Sequence, residues 1–196
     1  METTPIKISA RDKILAAATD LFYRNGIHAT GIDTVIEAAD VARMTLYKHF
    51  PSKDALIEAV LREASENTIR SMRNSTGDKP LSPRNYILAI FDWQAGRLYR
   101  DDFRGCQFFN AVVECADSNP SNKSVAVKFK SLMRDEIAGA VSKLGVQGED
   151  MLTEQICLLM DGASTRAQMG FAAVAVPAAR KAAELLIDAA IANKVN

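Results

Sequence analysis

The sequence predicts an all-α protein: an N-terminal module of three helices with a helix-turn-helix, followed by a C-terminal helical bundle, about nine helices in all. Three observations lead to this fold class. Apolar residues recur at intervals of three and four, and no segment has the alternation of a half-buried strand. Two short helical patterns near the N-terminus are joined by a tight turn. Hydrophobic residues make up 48% of the 196, which is enough to bury a core.

The first helix is predicted from Ser9 to about Asn25, because Ser9 and Asp12 have capping-box spacing and Gly26 suits a helix end. Apolar residues on one face of this helix are expected to be buried: Ile14, Leu15, Ala18, Leu21 and Phe22.

The second and third helices form the predicted helix-turn-helix. Thr30 and Asp33 have the spacing of a second capping box, so Thr30 is expected to open the second helix, and Asp40 to end it. In the third helix, Ala42, Leu46 and Phe50 recur every four residues and are expected to face the protein. The opposite face then carries polar and cationic groups suited to the major groove of a DNA duplex.

Six more helices are predicted beyond Pro51. The fourth runs from Ser52 to about Arg73 and connects the N-terminal module to the rest, before a turn-rich break at 74–83. The others are expected at about 84–99, 106–115, 121–144, 149–170 and 177–193.

The last helix carries two adjacent apolar seams, which are spaced by four, three and four residues. If one seam packs on its own domain, the other needs a partner, so the last two helices (about 149–170 and 177–193) are predicted to form a four-helix homodimer interface. A monomer with one wide buried face is the alternative. The seams are Ala178, Ala182, Leu185, Ala189 and Ala179, Ala183, Leu186, Ala190.

Charge and cysteine content exclude several classes of protein. The 24 basic and 24 acidic residues cancel, and the first 53 residues hold seven basic and six acidic groups, so any DNA contact must depend on local placement. Cys106, Cys115 and Cys157 lack metal-ligand spacing, so we expect no metal. Their odd number, without a signal-peptide pattern or a long apolar run, indicates a reduced, cytoplasmic location. They are interpreted as small buried hydrophobes, with a thiol redox sensor as the alternative.

No enzyme motif is present, since the sequence lacks a nucleophile elbow, a zinc-protease motif and a Gly-rich phosphate loop. The carboxylate pair Asp101 and Asp102 is interpreted as part of a solvated loop, with a catalytic pair as the less favoured alternative. We therefore expect no enzymatic activity and no cofactor.

Residues 9–54 resemble the DNA-binding domain of the TetR family of bacterial transcriptional regulators. The resemblance is carried by Thr45-Leu46-Tyr47-Lys48-His49-Phe50 and the following Ser52-Lys53-Asp54-Ala55-Leu56. It covers the first third of the chain and implies a DNA-binding domain at 1–53 and a ligand-binding and dimerisation domain at 54–196. Two positions depart from the family pattern: Asp40 replaces the usual turn Gly, and Ile36 replaces the usual Ala.

The resemblance also implies roles for single residues. Arg43, Met44 and Lys48 occupy positions that read bases, and Tyr47, His49 and Lys53 occupy positions that contact phosphates. Thr45 lies on the same helix, and Thr30 or Thr34 near the start of the preceding helix is expected to reach phosphate. His49 has packing against the protein as an equally weighted alternative.

The function implied is a repressor that a small molecule releases from an inverted-repeat operator. A pocket for the unknown effector is expected among apolar and polar residues of the C-terminal helices. For each residue taken singly the core is the favoured interpretation, so the pocket is better supported than any one of its walls. The candidates are Trp93, Arg97, Phe103, Phe108, Phe109, Asn110, Met133, Met160 and Arg166. The alternative function is a helical protein-interaction or small-molecule-binding module without sequence-specific DNA binding.

Overall fold

The computed structural model describes residues 8–75, 81–115 and 120–194, and over these ranges the chain is helical without any strand. The all-α prediction is therefore confirmed. Its helices are α1 (Ala10–Asn25), α2 (Ile32–Ala39), α3 (Arg43–His49), α4 (Lys53–Ser75), α5 (Pro83–Leu98), α6 (Gln107–Cys115), α7 (Pro120–Ser142), α8 (Glu149–Arg166) and α9 (Ala172–Asn193). A single π turn, Ala167–Phe171, links α8 to α9. Part of the predicted break, 76–80, lies outside the described residues.

Helix α1 begins and ends as predicted. The hydroxyl of Ser9 accepts a hydrogen bond from the backbone N–H of Asp12 at 3.1 Å, and Gly26 ends the helix with φ of 90°. That φ favours glycine, which has no side chain to clash. Of the face expected to be buried, Leu21 is only half-buried and the other four residues are buried.

The start of α2 differs from the prediction. Gly31 is the N-cap, and no side chain caps the helix. Thr30 is instead buried, with 2% of its surface exposed, and its hydroxyl donates to the carbonyl of Gly26 at 2.7 Å. The predicted capping box at Thr30 is therefore wrong, because its hydroxyl bonds to the end of α1. Asp40 ends α2 in the left-handed region with φ of 50°, where the family pattern has Gly.

The described chain divides into two compact units. The first contains the residues up to Ala64 together with Gln107–Val127, and the second contains Ser65–Cys106 and the residues from Lys128 onward. This grouping differs from a boundary at residue 53, because the first part of α4, all of α6 and the start of α7 pack in the same unit as α1–α3.

In the second unit, α8 and α9 pack against each other as a helical hairpin. Gly170 has φ of 89° in the π turn, which allows the chain to reverse within a few residues. The prediction that the last helix begins at Pro177 is wrong, since α9 begins at Ala172 and contains Pro177. Pro177 is the sixth residue of α9 and has no N–H to donate to the carbonyl of Ala173, so the helix continues through it with one backbone hydrogen bond fewer.

No helix in the described part of the chain is long and apolar enough to cross a membrane.

Candidate nucleic-acid interface

Helix α3 has one buried and one exposed face. Leu46 is fully buried and Phe50 is 4% exposed, so these two residues anchor the helix. Met44 is 80% exposed and Tyr47 39% exposed, and the side chains of Lys48 and His49 also lie at the surface. The predicted division of the helix is confirmed except at Ala42, which is the exposed N-cap and does not face the protein. Ala42 lies outside the helix as its N-cap, so the periodicity of the helix does not determine which way its side chain faces.

Arg43 is the first residue of α3 and forms an ion pair with Asp33 of α2. Both side chains are exposed, the arginine by 58% and the aspartate by 76%. The pair joins the two helices of the helix-turn-helix across their turn. Nothing in the sequence pattern indicated it, because the two residues are ten positions apart on different helices.

A second arginine lies near the other end of α3. The guanidinium of Arg11, on α1, lies over the ring of Phe50 at 5.5 Å from its centroid. This contact is a cation–π interaction, and it holds an exposed cation next to the anchored end of the helix. His49 is exposed and its ring is tilted by 52° against that of Phe50, at a centroid distance of 6.4 Å.

The remaining candidates for phosphate contact differ in exposure. Lys53 is half-buried at the start of α4, where the hydroxyl of Ser52 accepts from the backbone N–H of Ala55 at 3.1 Å and caps the helix. Thr34 is exposed in the first turn of α2. Thr30 is buried and bonded to backbone carbonyls, so its hydroxyl is not presented to a duplex.

The turn between α1 and α2 is bonded to α6 within the first unit. A carboxylate oxygen of Glu114 accepts from the backbone N–H of His28 at 2.9 Å, and the His28 ring contacts the backbone carbonyl of Glu114. Gly26 lies against the same carboxylate, since a Cβ there would be 3.2 Å from it. The sequence pattern gives no sign of this contact, because 86 residues separate the partners.

Close by, α1, α4 and α6 enclose a cavity of about 20 Å³, which is room for about one water molecule. Its lining combines apolar side chains with polar groups from α1 and α6. The lining residues are Thr19, Phe22, Tyr23, Ile27, Ile57, Val60, Leu61, Gln107, Asn110 and Glu114. Asn110 is thus the one effector-pocket candidate found on this wall, and the cavity is far smaller than sites for drug-sized molecules.

The effector-pocket candidates are divided between the two units. Phe108, Phe109 and Asn110 belong to the first unit, and the other six belong to the second. Their exposure differs as well: Phe108, Met133 and Met160 are buried, Trp93, Phe103 and Asn110 are half-buried, and Arg97, Phe109 and Arg166 are exposed.

Trp93 and Arg97 are brought together in the second unit. The Arg97 guanidinium lies 5.2 Å from the centroid of the Trp93 ring. The Trp93 indole N–H donates to the hydroxyl of Ser71 at 3.1 Å, and Arg97 donates to the hydroxyl of Thr68 at 3.5 Å. These polar groups therefore join α5 to α4. Arg166 lies elsewhere in the same unit, with its guanidinium 4.9 Å from the centroid of the Phe171 ring.

Gln94 is a polar residue that sequence analysis missed. Its side-chain amide donates to the carbonyl of Met160 and to the hydroxyl of Ser164, both at 2.9 Å, and so joins α5 to α8. A single glutamine in an apolar helix gives no sign of such a contact from sequence, because its partners lie some seventy residues away.

The cysteines include two thiols that are hard to ionise. Burial raises the pKa of Cys157 to about 11, with added repulsion from Glu154 and Asp161. Burial, with repulsion from Glu114 and Asp54, also raises the pKa of Cys115. Among the residues that the structure describes, there is no cluster of three or more His, Cys, Asp or Glu side chains that could hold a metal ion.

Comparison with known proteins agrees with this geometry. Residues 14–60 match the family described as "Bacterial regulatory proteins, tetR family". Over 86 residues the chain is 35% identical to the HTH-type transcriptional activator FasR of Mycolicibacterium smegmatis, a match that covers 42% of this chain and 39% of FasR. The chain thus spans well under half the length of the curated relatives that it matches.

Solved structures match over almost the whole chain. A proposed TetR transcriptional regulator from Streptomyces avermitilis is similar with a TM-score of 0.78 and 30% identity, covering 93% of this chain and 98% of that one. A TetR-family transcriptional regulator from Streptomyces coelicolor is similar with a TM-score of 0.79 and 25% identity, covering 95% and 96%. These similar proteins are transcriptional regulators and not enzymes, in line with the prediction from sequence.

Proposed function

The chain belongs to the TetR family of bacterial transcriptional regulators, and we propose that it is a homodimeric repressor that a small molecule releases from an inverted-repeat operator. One observation carries the DNA-binding part of this proposal. Helix α3 is anchored by Leu46 and Phe50, so its opposite face lies at the surface and carries polar and cationic side chains together with Met44. A recognition helix in a major groove needs this arrangement.

The exposed residues of α3 divide into two roles by chemistry. Arg43 has the donors for a bidentate contact to guanine, Lys48 can reach guanine or phosphate, and Met44 offers an apolar contact to a thymine methyl. We assign Tyr47 and His49 of α3, together with Lys53 at the start of α4, to phosphate. Thr45 is half-buried on α3, and exposed Thr34 is a further donor for phosphate.

The exposed faces of α8 and α9 support a homodimer. Along α8, Met151 and Leu158 are 65% and 69% exposed, and they are seven residues apart on one face. Along α9, Val174 and Leu185 are 67% and 59% exposed, while Ala183 on the other seam is fully buried. One seam thus packs within the unit, and the second forms an apolar surface that a second copy of the hairpin would cover.

Small residues extend the same two faces. Gly162 on α8 and Ala178 and Ala189 on α9 are exposed, so a partner helix could approach closely. Ala163 on α8 and Ala167 in the π turn are buried and pack within their own unit. A symmetric dimer then presents two copies of α3, which accounts for the inverted repeat.

The effector and the direction of regulation rest on the family. By linkage, an effector that binds the conformation with poorly spaced α3 helices lowers operator affinity, and the operator lowers effector affinity by the same factor. FasR is an activator by its name, so the family includes both directions of regulation. A reporter gene that is less active without the protein would overturn the proposal of repression but not that of DNA binding. Because a transcriptional regulator binds chromosomal DNA, the proposed function also implies that the protein works in the bacterial cytoplasm.

The experiment that tests the proposal begins with selection of binding sites from random DNA by the full-length protein. An inverted repeat with half-sites about one helical turn or more apart is the expected result. Mobility shifts on the selected site should weaken with rising salt and with mutation of either half-site. If no sequence is enriched and all duplexes bind equally, the result would favour the alternative function, a helical protein-interaction or small-molecule-binding module without sequence-specific DNA binding.

A further inference from the structure

The ion pair between Asp33 and Arg43 differs from the other pairs of the first unit that we describe. The pairs Arg24–Asp20 and Arg62–Glu58 each lie within one helix, four residues apart. The Asp33–Arg43 pair instead connects the first turn of α2 to the first residue of α3. Arg43, on the exposed face of α3, is therefore held by a residue of a different helix.

The pair restricts how the Arg43 guanidinium can be presented. A guanidinium has five N–H donors in a planar fork, and a bidentate guanine contact needs two of them with the plane correctly aligned. Asp33 accepts from one terminal nitrogen, Nη2, which leaves other donors of the fork for a base. A side chain held by a carboxylate loses less freedom when it binds than one that is mobile in solution.

The same carboxylate is unfavourable for any duplex that Arg43 cannot read. Asp33 is 76% exposed beside the side chain assigned to base reading, so a duplex placed against Arg43 brings phosphate charge toward this carboxylate. A guanine gives acceptors to the Arg43 donors that Asp33 does not use, whereas a wrong base leaves those donors unpaired and the repulsion between Asp33 and phosphate uncompensated. Specificity of this kind comes from disfavouring the wrong partner as much as from favouring the right one.

We propose that Asp33 is a specificity-determining residue, which orients Arg43 for guanine and disfavours sequences without a guanine at that position. This inference rests on the proposed DNA-binding function. It assigns to α2 an indirect part in base selection, because Asp33 contacts Arg43 and not the base. Because exposed ion pairs contribute little to folding, the role is separable from stability.

The test uses five full-length proteins: wild type, Asp33→Asn, Glu37→Gln, Arg43→Ala and the double variant Asp33→Asn with Arg43→Ala. Glu37→Gln is the matched control, since Glu37 is exposed on the same helix one turn further on and loses the same charge. Each protein is titrated with the selected operator, with its single-base-pair variants and with an unrelated duplex. Thermal unfolding checks that all five are folded.

We expect Asp33→Asn to reduce discrimination at the base pair read by Arg43 by about tenfold and to raise affinity for the unrelated duplex. Glu37→Gln should change the affinity for all duplexes by a similar factor and leave discrimination between base pairs intact. In the Arg43→Ala background, Asp33→Asn should cause no further loss of discrimination, because the side chain that it orients is gone.

Two outcomes overturn the inference alone. In the first, Arg43→Ala loses discrimination between base pairs but Asp33→Asn keeps the discrimination of the wild type. In the second, Asp33→Asn changes discrimination by the same factor whether Arg43 is present or replaced by alanine. If Arg43→Ala itself keeps full base preference, the assignment of Arg43 to base reading fails, and this inference fails with it.

Discussion

Glu114 of α6 accepts a hydrogen bond from the backbone N–H of His28, in the turn between α1 and α2, at 2.9 Å. The contact attaches the helix-turn-helix to a helix that is distant in sequence but lies in the same compact unit. Gly26 lies against the same carboxylate, so one side chain of α6 bonds to one residue of the turn that precedes α2 and contacts another.

Glu114→Ala should therefore lower the free energy of unfolding by about 1 kcal/mol, the usual net contribution of a partly exposed hydrogen bond. Urea denaturation of the full-length protein measures this change. Glu63→Ala, at an exposed position on α4, serves as the control for loss of a surface carboxylate. Equal stability of the two variants would mean that the bond to His28 contributes nothing to folding.

Arg43→Ala and Lys53→Ala should affect DNA binding differently. Loss of Arg43 should cost about 1 to 3 kcal/mol and relax preference at one base pair in each half-site. Loss of Lys53 should weaken all sequences alike and reduce the slope of log affinity against log salt by about one. Mobility shifts over a range of salt concentrations give both quantities, and a uniform loss for both variants would contradict the division into base and phosphate contacts.

Leu185→Glu should convert the proposed dimer into a monomer. The side chain is 59% exposed on the apolar face of α9, so a charge there is tolerated in the single chain and is buried without a partner in a dimer. Val113→Glu on α6, where the side chain is 62% exposed, is the matched control and should stay dimeric. Light scattering at micromolar concentration distinguishes them; the idea fails if wild type is itself monomeric or if Leu185→Glu stays dimeric.

Acid should weaken the attachment of α5 to α9. Arg84 of α5 pairs with Glu184 and Asp188 of α9. Bonds from Lys181 and Arg84 lower the pKa of Glu184, and Arg84 lowers the pKa of Asp188. Groups with a lowered pKa in the folded state stabilise it above their ordinary pKa of about 4, and this contribution is lost as the pH falls further.

The wild-type melting temperature should therefore fall more steeply between about pH 5 and pH 3 than that of Arg84→Ala, which has already lost the pairs. Arg62→Ala is the control, because its pair with Glu58 lies within α4 and does not connect two helices. Parallel curves for wild type and Arg84→Ala would show that the pairs do not stabilise the fold.

Cys157 should react slowly with alkylating reagents. With a pKa of about 11, its thiolate fraction at pH 8 is about a hundredfold below that of an ordinary cysteine, and the thiolate is the reactive form. Mass spectrometry after timed labelling of native and urea-unfolded protein compares the rates at this residue. Labelling as fast in the native as in the unfolded protein would support the thiol redox sensor.

Local patterns predicted the helices well, because their signals lie within a few residues. Ser9 and Asp12 gave the start of α1, and the repeat of Leu46 and Phe50 gave the buried face of α3. The two seams of α9 were also separable by periodicity, since Ala179 and Ala183 are buried while Ala178 and Leu185 are exposed.

Contacts between distant residues could not be predicted in this way. Thr30 has the spacing of a cap, but its hydroxyl bonds to the end of α1, which local spacing does not reveal. Pro177 suggested a helix start, but the burial of Ala175 and Val176 extends α9 toward the π turn. The partners of Arg43, His28 and Gln94 depend on how helices pack, so sequence alone did not indicate them.

The short reversal at Gly170 has a consequence for how two subunits could exchange parts. Domain swapping requires a hinge that opens so that a terminal element can cross to a neighbour. Here five residues in a π turn connect α8 to α9, and an extended connection of that length could carry α9 only a short distance from α8. Association through this hairpin would therefore join two prefolded surfaces, and dilution should separate them without unfolding either chain.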